Sequence, residues 1–386
     1  MDFALSEDQR IIKQTAREFA DEQLAPLAAE YDRTEEFTAP QAKMLAELGF
    51  LGMMVPEEYG GAGLDTISYV LAMEEVSRAC ASTSVTMTVQ NSLVCWPLTA
   101  FGSEEQKQKY LAPLARGDIL GCYALSEPAA GSDPASMATM AEEDGDSYVL
   151  NGSKIFISNG GVSKVALVWA TTSKELKHKG ITAFIVESDF PGFIVGAEEK
   201  KLGIRGSNTT ELHFENCRVP KANILGNVGD GFKIAMQTLD GGRIGIAAQA
   251  VGIGQAAVDA AVKYAHQRHA FGKTLAEIEA IQIKIADMAV EVQASRLLTY
   301  HAAFTKDQGL RFSKEAAMAK LHASETATKV THAAVQIHGG YGFLRDFPVE
   351  RLYRDARITE IYEGTSEIQR HVISNAILRE GRPATE

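Results

Sequence analysis

Sulfur chemistry has little to work with in this sequence. Its four cysteines, Cys80, Cys95, Cys122 and Cys217, are scattered over 386 residues without a C-x-x-C pair. They could form a disulfide framework, but in so long a chain four reduced, buried thiols are the favoured expectation. Basic charge is also short, with 38 Lys and Arg against 50 Asp and Glu and a formal net charge of −12. Nucleic acid is therefore not an expected partner, because phosphate recognition needs a basic surface. Apolar runs are broken well before the roughly 18 residues that cross a bilayer, so no membrane insertion is expected. The start, Met1-Asp2-Phe3-Ala4-Leu5-Ser6-Glu7-Asp8, has neither the basic nor the apolar region of a signal peptide. These absences predict a soluble, cytoplasmic chain of bacterial type, or a mitochondrial matrix protein if it is a processed eukaryotic one.

What is present is ordinary globular material, 45% apolar and 23% charged. It suffices for large cores without disulfides or metals. Three textures divide it, giving expected units at residues 1–120, 121–228 and 229–386. The first is helical: Ser6-Glu7-Asp8-Gln9 and Ser103-Glu104-Glu105-Gln106 both have the form of a capping box. Between them, residues 57–63 are too glycine-rich for a regular element. In the second unit Tyr148-Val149-Leu150 and Lys154-Ile155-Phe156-Ile157 read as two strands around an Asn151-Gly152 turn. Further β-branched or aromatic runs at 165–169, 181–186 and 211–214 predict a small, mostly antiparallel sheet, closed as a barrel or nearly so. The third unit carries long alanine-rich helical patterns over 247–267, 277–306 and 314–337, as in a close-packed bundle.

Several patterns do not carry their usual chemistry. Gly252-Ile253-Gly254-Gln255-Ala256-Ala257 fits a dinucleotide fingerprint, but no strand precedes it, so close helix packing is expected. Gly272-Lys273-Thr274 lacks the earlier phosphate-loop glycine, since that position is Gln267. His266 with His269, and His332 with His338, have no acid or cysteine at a ligand spacing, so no metal is expected. No G-x-S-x-G elbow occurs.

Two segments are harder to read as packing. Tyr123-Ala124-Leu125-Ser126-Glu127-Pro128-Ala129-Ala130-Gly131-Ser132-Asp133 leads from a strand into small and hydroxyl residues, suited to meeting a planar ligand. Arg357 to Arg370 places Glu363 before a glycine that permits close approach, with Thr365 or Ser366 able to cap a following helix. Together with Lys201-Leu202-Gly203-Ile204-Arg205-Gly206-Ser207, Gln267-Arg268-His269-Ala270-Phe271-Gly272 and Gln336-Ile337-His338-Gly339-Gly340, in this order, they resemble the acyl-CoA dehydrogenase family over nearly the whole chain. The resemblance is closest to the short-chain, butyryl-CoA members.

The resemblance implies a mainly α fold with a central β domain: an N-terminal helical domain, a middle β-barrel-like domain and a C-terminal four-helix bundle. It implies non-covalent FAD, an electron-transfer flavoprotein partner and a homotetramer built as a dimer of dimers. The implied FAD contacts are Tyr123, Leu125, Ser126, Ser132, Phe156, Ile157, Ser158, Arg268, Phe271, Glu279, Gln336, Ile337, Gly339, Gly340, Thr365 and Glu367, some from a neighbouring subunit. Glu279 departs from the family, which usually has glutamine there; a carboxylate near a pyrophosphate is repelled unless protonated or turned away. Ser132, Asp240, Arg243 and Gly364 are the implied acyl-CoA contacts.

The implied reaction removes an α-proton to a carboxylate and a β-hydride to flavin N5, giving a trans-2-enoyl-CoA. Isovaleryl-CoA relatives carry the base immediately before the arginine matching Arg243; here that residue is Gly242, which leaves Glu363 as the catalytic base. Glutaryl-CoA relatives have an arginine where this chain has Ser84, so a simple aliphatic acyl group of about four carbons is expected. The alternatives are an oxidase passing electrons to oxygen and, against the acidic charge, a nucleic-acid-associated protein on the same fold.

Overall fold

A computed structural model describes residues 4–380. Both capping boxes form. The Ser6 hydroxyl accepts from the Gln9 amide and the Gln9 side chain accepts from the Ser6 amide, each at 3.1 Å, opening α1 (Glu7–Phe19). After α2 (Ala28–Thr34) and α3 (Ala39–Glu47), residues 57–63 form one short 3-10 turn, Glu57–Tyr59, and an irregular loop. Asp65 caps α4 (Thr66–Ala79), which leads to α5 (Ala81–Thr88), a π-helical stretch over Val89–Cys95, and α6 (Trp96–Phe101). The second box starts α7 (Glu104–Gln106), continued by α8 (Ala112–Arg116).

Eight strands follow: β1 (Gly121–Ala124), β2 (Met140–Asp144), β3 (Ser147–Ser158), β4 (Val165–Thr171), β5 (Ile181–Glu187), β6 (Phe193–Glu198), β7 (Thr209–Pro220) and β8 (Ile224–Leu225). Their order is β6-β7-β3-β2-β4-β5-β8, with β1 paired in parallel to β4. The expected Asn151-Gly152 hairpin does not exist. β3 runs through it as one strand, with a bulge that shifts the register against β7 between Leu150 and Gly152. Asn151 accepts from the Asn216 amide of β7 at 2.8 Å, and a side chain at Gly152 would overlap Thr139. The glycine thus serves close approach within the sheet, which local sequence cannot distinguish from a turn.

The C-terminal part is built on α9 (Gly231–Gln267), α10 (Glu279–Asp307), α11 (Ser313–His338), α12 (Pro348–Arg357) and α13 (Ser366–Glu380). α9 begins sixteen residues before the expected 247, because Gly241, Gly242 and Gly245 hide helical periodicity, the last two while allowing neighbours to pack closely. By length and composition α9 could cross a membrane, yet 78% of its apolar window is buried within the protein. Gly252 packs directly against the Glu74 carbonyl, which accounts for the false dinucleotide pattern. Gly272-Lys273-Thr274 falls in a small hairpin of β9 (His269–Ala270) and β10 (Lys273–Thr274).

One loop draws three parts of the chain together around the site. The Ile204 amide donates to the buried carboxylate of Asp355 in α12 at 2.5 Å, and Gly206 donates to Ser82 of α5 at 3.2 Å. All four cysteines are free and buried. Of the loose tail expected at 380–386, all but Glu380 lies outside the described residues, as do the first three residues of the sequence.

Candidate active site

The site begins with a backbone irregularity. Past α12 the chain makes one 3-10 turn, Ile358–Glu360, and then places two successive residues in the left-handed region, Glu363 at φ 53° and Gly364 at φ 95°. A glutamate rarely occupies that region, because its Cβ crowds the backbone there. The turn aims Glu363 into a cleft of about 460 Å³, within the range of small-molecule sites. Val85, Thr88, Val89 and Leu93 form one wall, the loop from Tyr123 to Pro134 and strand residues Ile155 to Ser158 another, and Met236, Leu239 and Arg243 of α9 a third.

Glu363 is a carboxylate under strain of solvation. Its Oε2 is buried without a hydrogen-bond partner. Burial pushes its pKa from 4.5 up to about 7, against the opposing pull of the Lys320 and Arg243 charges. Gly242 faces this carboxylate directly: a Cβ there would overlap Oε2. The Glu363 amide enters none of the backbone hydrogen bonds of the loops and turns.

Neighbours fix the turn. The Tyr362 hydroxyl donates to the Gln249 side-chain oxygen. Gln249 in turn donates to the Ala81 carbonyl at 3.2 Å and to the Ser84 hydroxyl at 2.9 Å. Ser84 is thus fully buried and already occupied. Arg243 is buried, paired to Asp240 at 2.6 Å, and leaves its Nε unpartnered. Asp240 also accepts from the Ser313 hydroxyl, and its own burial raises its pKa.

The two ligand-facing loops are tied by an ion pair that sequence inspection missed. Lys154 of β3, with no exposed surface, contacts Glu127 at 2.7 Å and donates to the Leu125 carbonyl at 3.2 Å. Glu127 also accepts from the amides of Ala138 at 2.5 Å and Thr139 at 3.1 Å. Burial pulls the Lys154 pKa down to about 8, while the lysine charge and these hydrogen bonds hold Glu127 below its ordinary value. Both groups therefore remain ionised near neutrality. Nothing in the local pattern marks Lys154, which ends the polar run Asn151-Gly152-Ser153-Lys154.

The expected site residues divide into two groups. Tyr123, Leu125, Ser126, Ser132, Phe156, Ile157, Ser158, Arg243, Glu363, Gly364 and Thr365 line the cleft. Arg268, Phe271, Glu279, Gln336, Ile337, Gly339, Gly340 and Glu367 do not, and Asp240 stands behind Arg243. Phe271 is 94% exposed, and Arg268 lies 5.3 Å from the ring centre of Tyr341. Glu279 is exposed at the first residue of α10, and Glu367 is exposed in the first turn of α13. Gln336, Gly339 and Gly340 are exposed around the end of α11, with Ile337 buried. His338 stacks on Tyr264 and donates to the Ala334 carbonyl. Among the described residues no group of three or more His, Cys, Asp or Glu could hold a metal ion.

The cleft suits a flavin. Phe156, held at φ 58° and 64% exposed, presents an aromatic face. The unpaired Glu363 Oε2 and Arg243 Nε supply polar atoms among mostly apolar walls. Tyr123 to Ser132 and Phe156 to Ser158 are the residues that would hold the ring.

Comparison with known proteins agrees. Family models described as acyl-CoA dehydrogenase N-terminal, middle and C-terminal domains match residues 6–118, 122–217 and 229–378. The mitochondrial short-chain specific acyl-CoA dehydrogenase of Rattus norvegicus is 54% identical, covering 98% of this chain and 92% of that protein. The solved butyryl-CoA dehydrogenase of Megasphaera elsdenii has a TM-score of 0.97 at 46% identity, covering 98% of this chain and 100% of the other. A chain solved in work on the electron transferring flavoprotein of Acidaminococcus fermentans reaches the same TM-score at 51% identity, covering 98% and 100%. The chain belongs to the acyl-CoA dehydrogenase family, FAD-dependent oxidoreductases that dehydrogenate acyl-CoA thioesters.

Proposed function

We propose that this chain converts a short-chain acyl-CoA, of about four carbons, to the trans-2-enoyl-CoA, with Glu363 as the base. The observation that carries the proposal is the buried, unpaired Oε2 of Glu363 at the cleft. An ordinary carboxylate is too weak to take a proton from carbon; one raised to about 7 is better matched to the task. The Glu363 amide, which enters none of the backbone hydrogen bonds of the loops and turns, would donate to the thioester oxygen, favouring charge that develops there as the α-proton leaves. When bound, FAD supplies the acceptor for the β-hydride.

The similarity to short-chain specific and butyryl-CoA dehydrogenases supports an acyl group of about four carbons. The occupied Ser84 offers no cation for a distal carboxylate.

The remaining assignments extend the same reading. The outer group of site residues would reach FAD in a neighbouring subunit of a homotetramer. Ile283, Val290, Leu297 and Phe304, exposed at seven-residue spacing on α10, supply an apolar stripe for such contacts. Electrons would pass to an electron-transfer flavoprotein, in keeping with the Acidaminococcus similarity. Domains at 1–120, 121–228 and 229–386, and a cytoplasmic or matrix location, complete the proposal.

The test is anaerobic titration of the FAD-loaded protein with butyryl-, hexanoyl- and octanoyl-CoA. Butyryl-CoA should bleach the flavin band most readily, and Glu363→Gln should bind it without bleaching. Turnover by that variant at near-normal rates would overturn the assignment.

A further inference from the structure

Among the described residues two lysines have no exposed surface, Lys154 and Lys320. Lys154 is explained by its direct contact with Glu127. Lys320 of α11 is not: no carboxylate lies within ion-pair distance of it among the described residues, and its one hydrogen bond runs at 2.7 Å to the carbonyl of Gly364. Burying an ammonium with a single partner is costly, so its placement calls for a reason.

The reason lies in what the bond holds. Gly364 follows the base, and both residues are left-handed. The Gly364 carbonyl also accepts from the Gln369 side chain at 2.8 Å, and the same amide reaches the Glu363 carbonyl at 3.3 Å. Two side chains from different helices thus grip the backbone of a turn that a glutamate would not adopt unaided. The lysine does not touch the unpaired Oε2. It stands behind the turn, where its charge still acts on the carboxylate.

Resting on the reading of Glu363 as the base, we propose that Lys320 is its positioning residue: the buried ammonium holds the Gly364 carbonyl, and so keeps the Glu363 carboxylate aimed into the cleft and ionisable there. Of the charges facing Glu363, only Lys320 and Arg243 favour its ionised form, and Arg243 is already engaged by Asp240. The other titratable groups around the pair are Tyr123 of β1, Tyr69 of α4, and Tyr362, Glu360 and Glu367 on the base's own segment. None of these can replace a positive charge. Burial lowers the Lys320 pKa to about 8, against the raising effect of Glu363, so the ammonium persists through neutral pH. Removing it disfavours the Glu363 carboxylate and moves its titration to higher pH.

The test compares FAD-loaded wild type with Lys320→Met, which removes charge and donor, and Lys320→Gln, which removes the charge and keeps an N–H. Two readouts are used: the pH profile of kcat/KM with butyryl-CoA, and infrared titration of the Glu363 carboxyl, assigned by its loss in Glu363→Gln. Both Lys320 variants should move the titration upward by about one pH unit. Turnover should fall about tenfold near pH 7 and recover in part at alkaline pH, with Lys320→Met the poorer because its turn is no longer held. A loss equal at every pH, with the carboxyl titration unmoved in whichever variant folds, would overturn the role of Lys320 and leave Glu363 as base. Turnover by Glu363→Gln would overturn the base reading instead.

Discussion

A carboxyl kept partly protonated by burial carries a cost to the fold, and that cost can be measured separately from catalysis. In the unfolded chain Glu363 titrates at an ordinary 4.5; in the fold it titrates near 7. Between these values the folded state binds more protons than the unfolded state, so stability falls as pH rises through the window. The penalty is small near pH 4.5 and complete above pH 7. Linkage gives about 1 kcal/mol at pH 5 and about 3 kcal/mol at pH 8. Glu363→Gln removes this titration, while any change in its hydrogen bonding is the same at both pH values.

The variant should therefore gain roughly 2 kcal/mol relative to wild type between pH 5 and pH 8. The assay is urea unfolding of both FAD-loaded proteins at the two pH values with equal excess cofactor, read as the change in their stability difference. Staying at or below pH 8 keeps the Lys320 titration, also near 8, from dominating. A stability difference that is constant with pH, or that shrinks toward pH 8, would refute the claim that burial holds this carboxyl up. Activity should be lost in the same variant, so the group that makes the chemistry possible would be the one that weakens the fold.

Three other perturbations follow from the packing. Because a Cβ at Gly242 would overlap the Glu363 carboxylate, Gly242→Ala should displace the base and lower kcat at least about a hundredfold, with circular dichroism and flavin absorbance retained. The double variant Gly242→Glu, Glu363→Gly should recover part of the rate, since both side chains reach one space; no recovery would show that proximity alone does not place the base. Lys154→Met leaves the buried Glu127 unpaired and should cost about 3–5 kcal/mol in denaturant unfolding, because a buried charge has lost its partner. FAD retention on dilution should weaken in parallel, as both cleft loops are tied by that pair.

How much of this was legible in the sequence depends on how local each cause is. The capping boxes at Ser6 and Ser103 formed as read, because donor and acceptor lie three residues apart. The short strand runs formed as well, since a run of β-branched and aromatic residues is a local property. Asn151-Gly152 was misread because a turn and a bulge share a dipeptide, and the choice was made by Asn216 on β7 and by Thr139 just before β2. The first half of α9 was hidden because glycines lower helix propensity, while the contacts that require Gly245, from Tyr69 and Thr88, come from the N-terminal helices. Lys154 and Lys320 were invisible as site residues, since a lysine's burial is a property of the fold.

Four of the illegible features share a place. A glutamate with positive φ, a glycine within a helix, a lysine with no exposed surface and an arginine with an orphaned nitrogen each contradict a local preference, and the last three stand around the turn that carries residue 363. Their convergence means that the surrounding helices stabilise a set of conformations that no segment would choose alone, which is how a fold holds a reactive group away from its resting state. The recognisable motif around Glu363 located the site; the strained turn, the glycine facing it and the buried lysine behind it explain why a carboxylate at that position can act as a base.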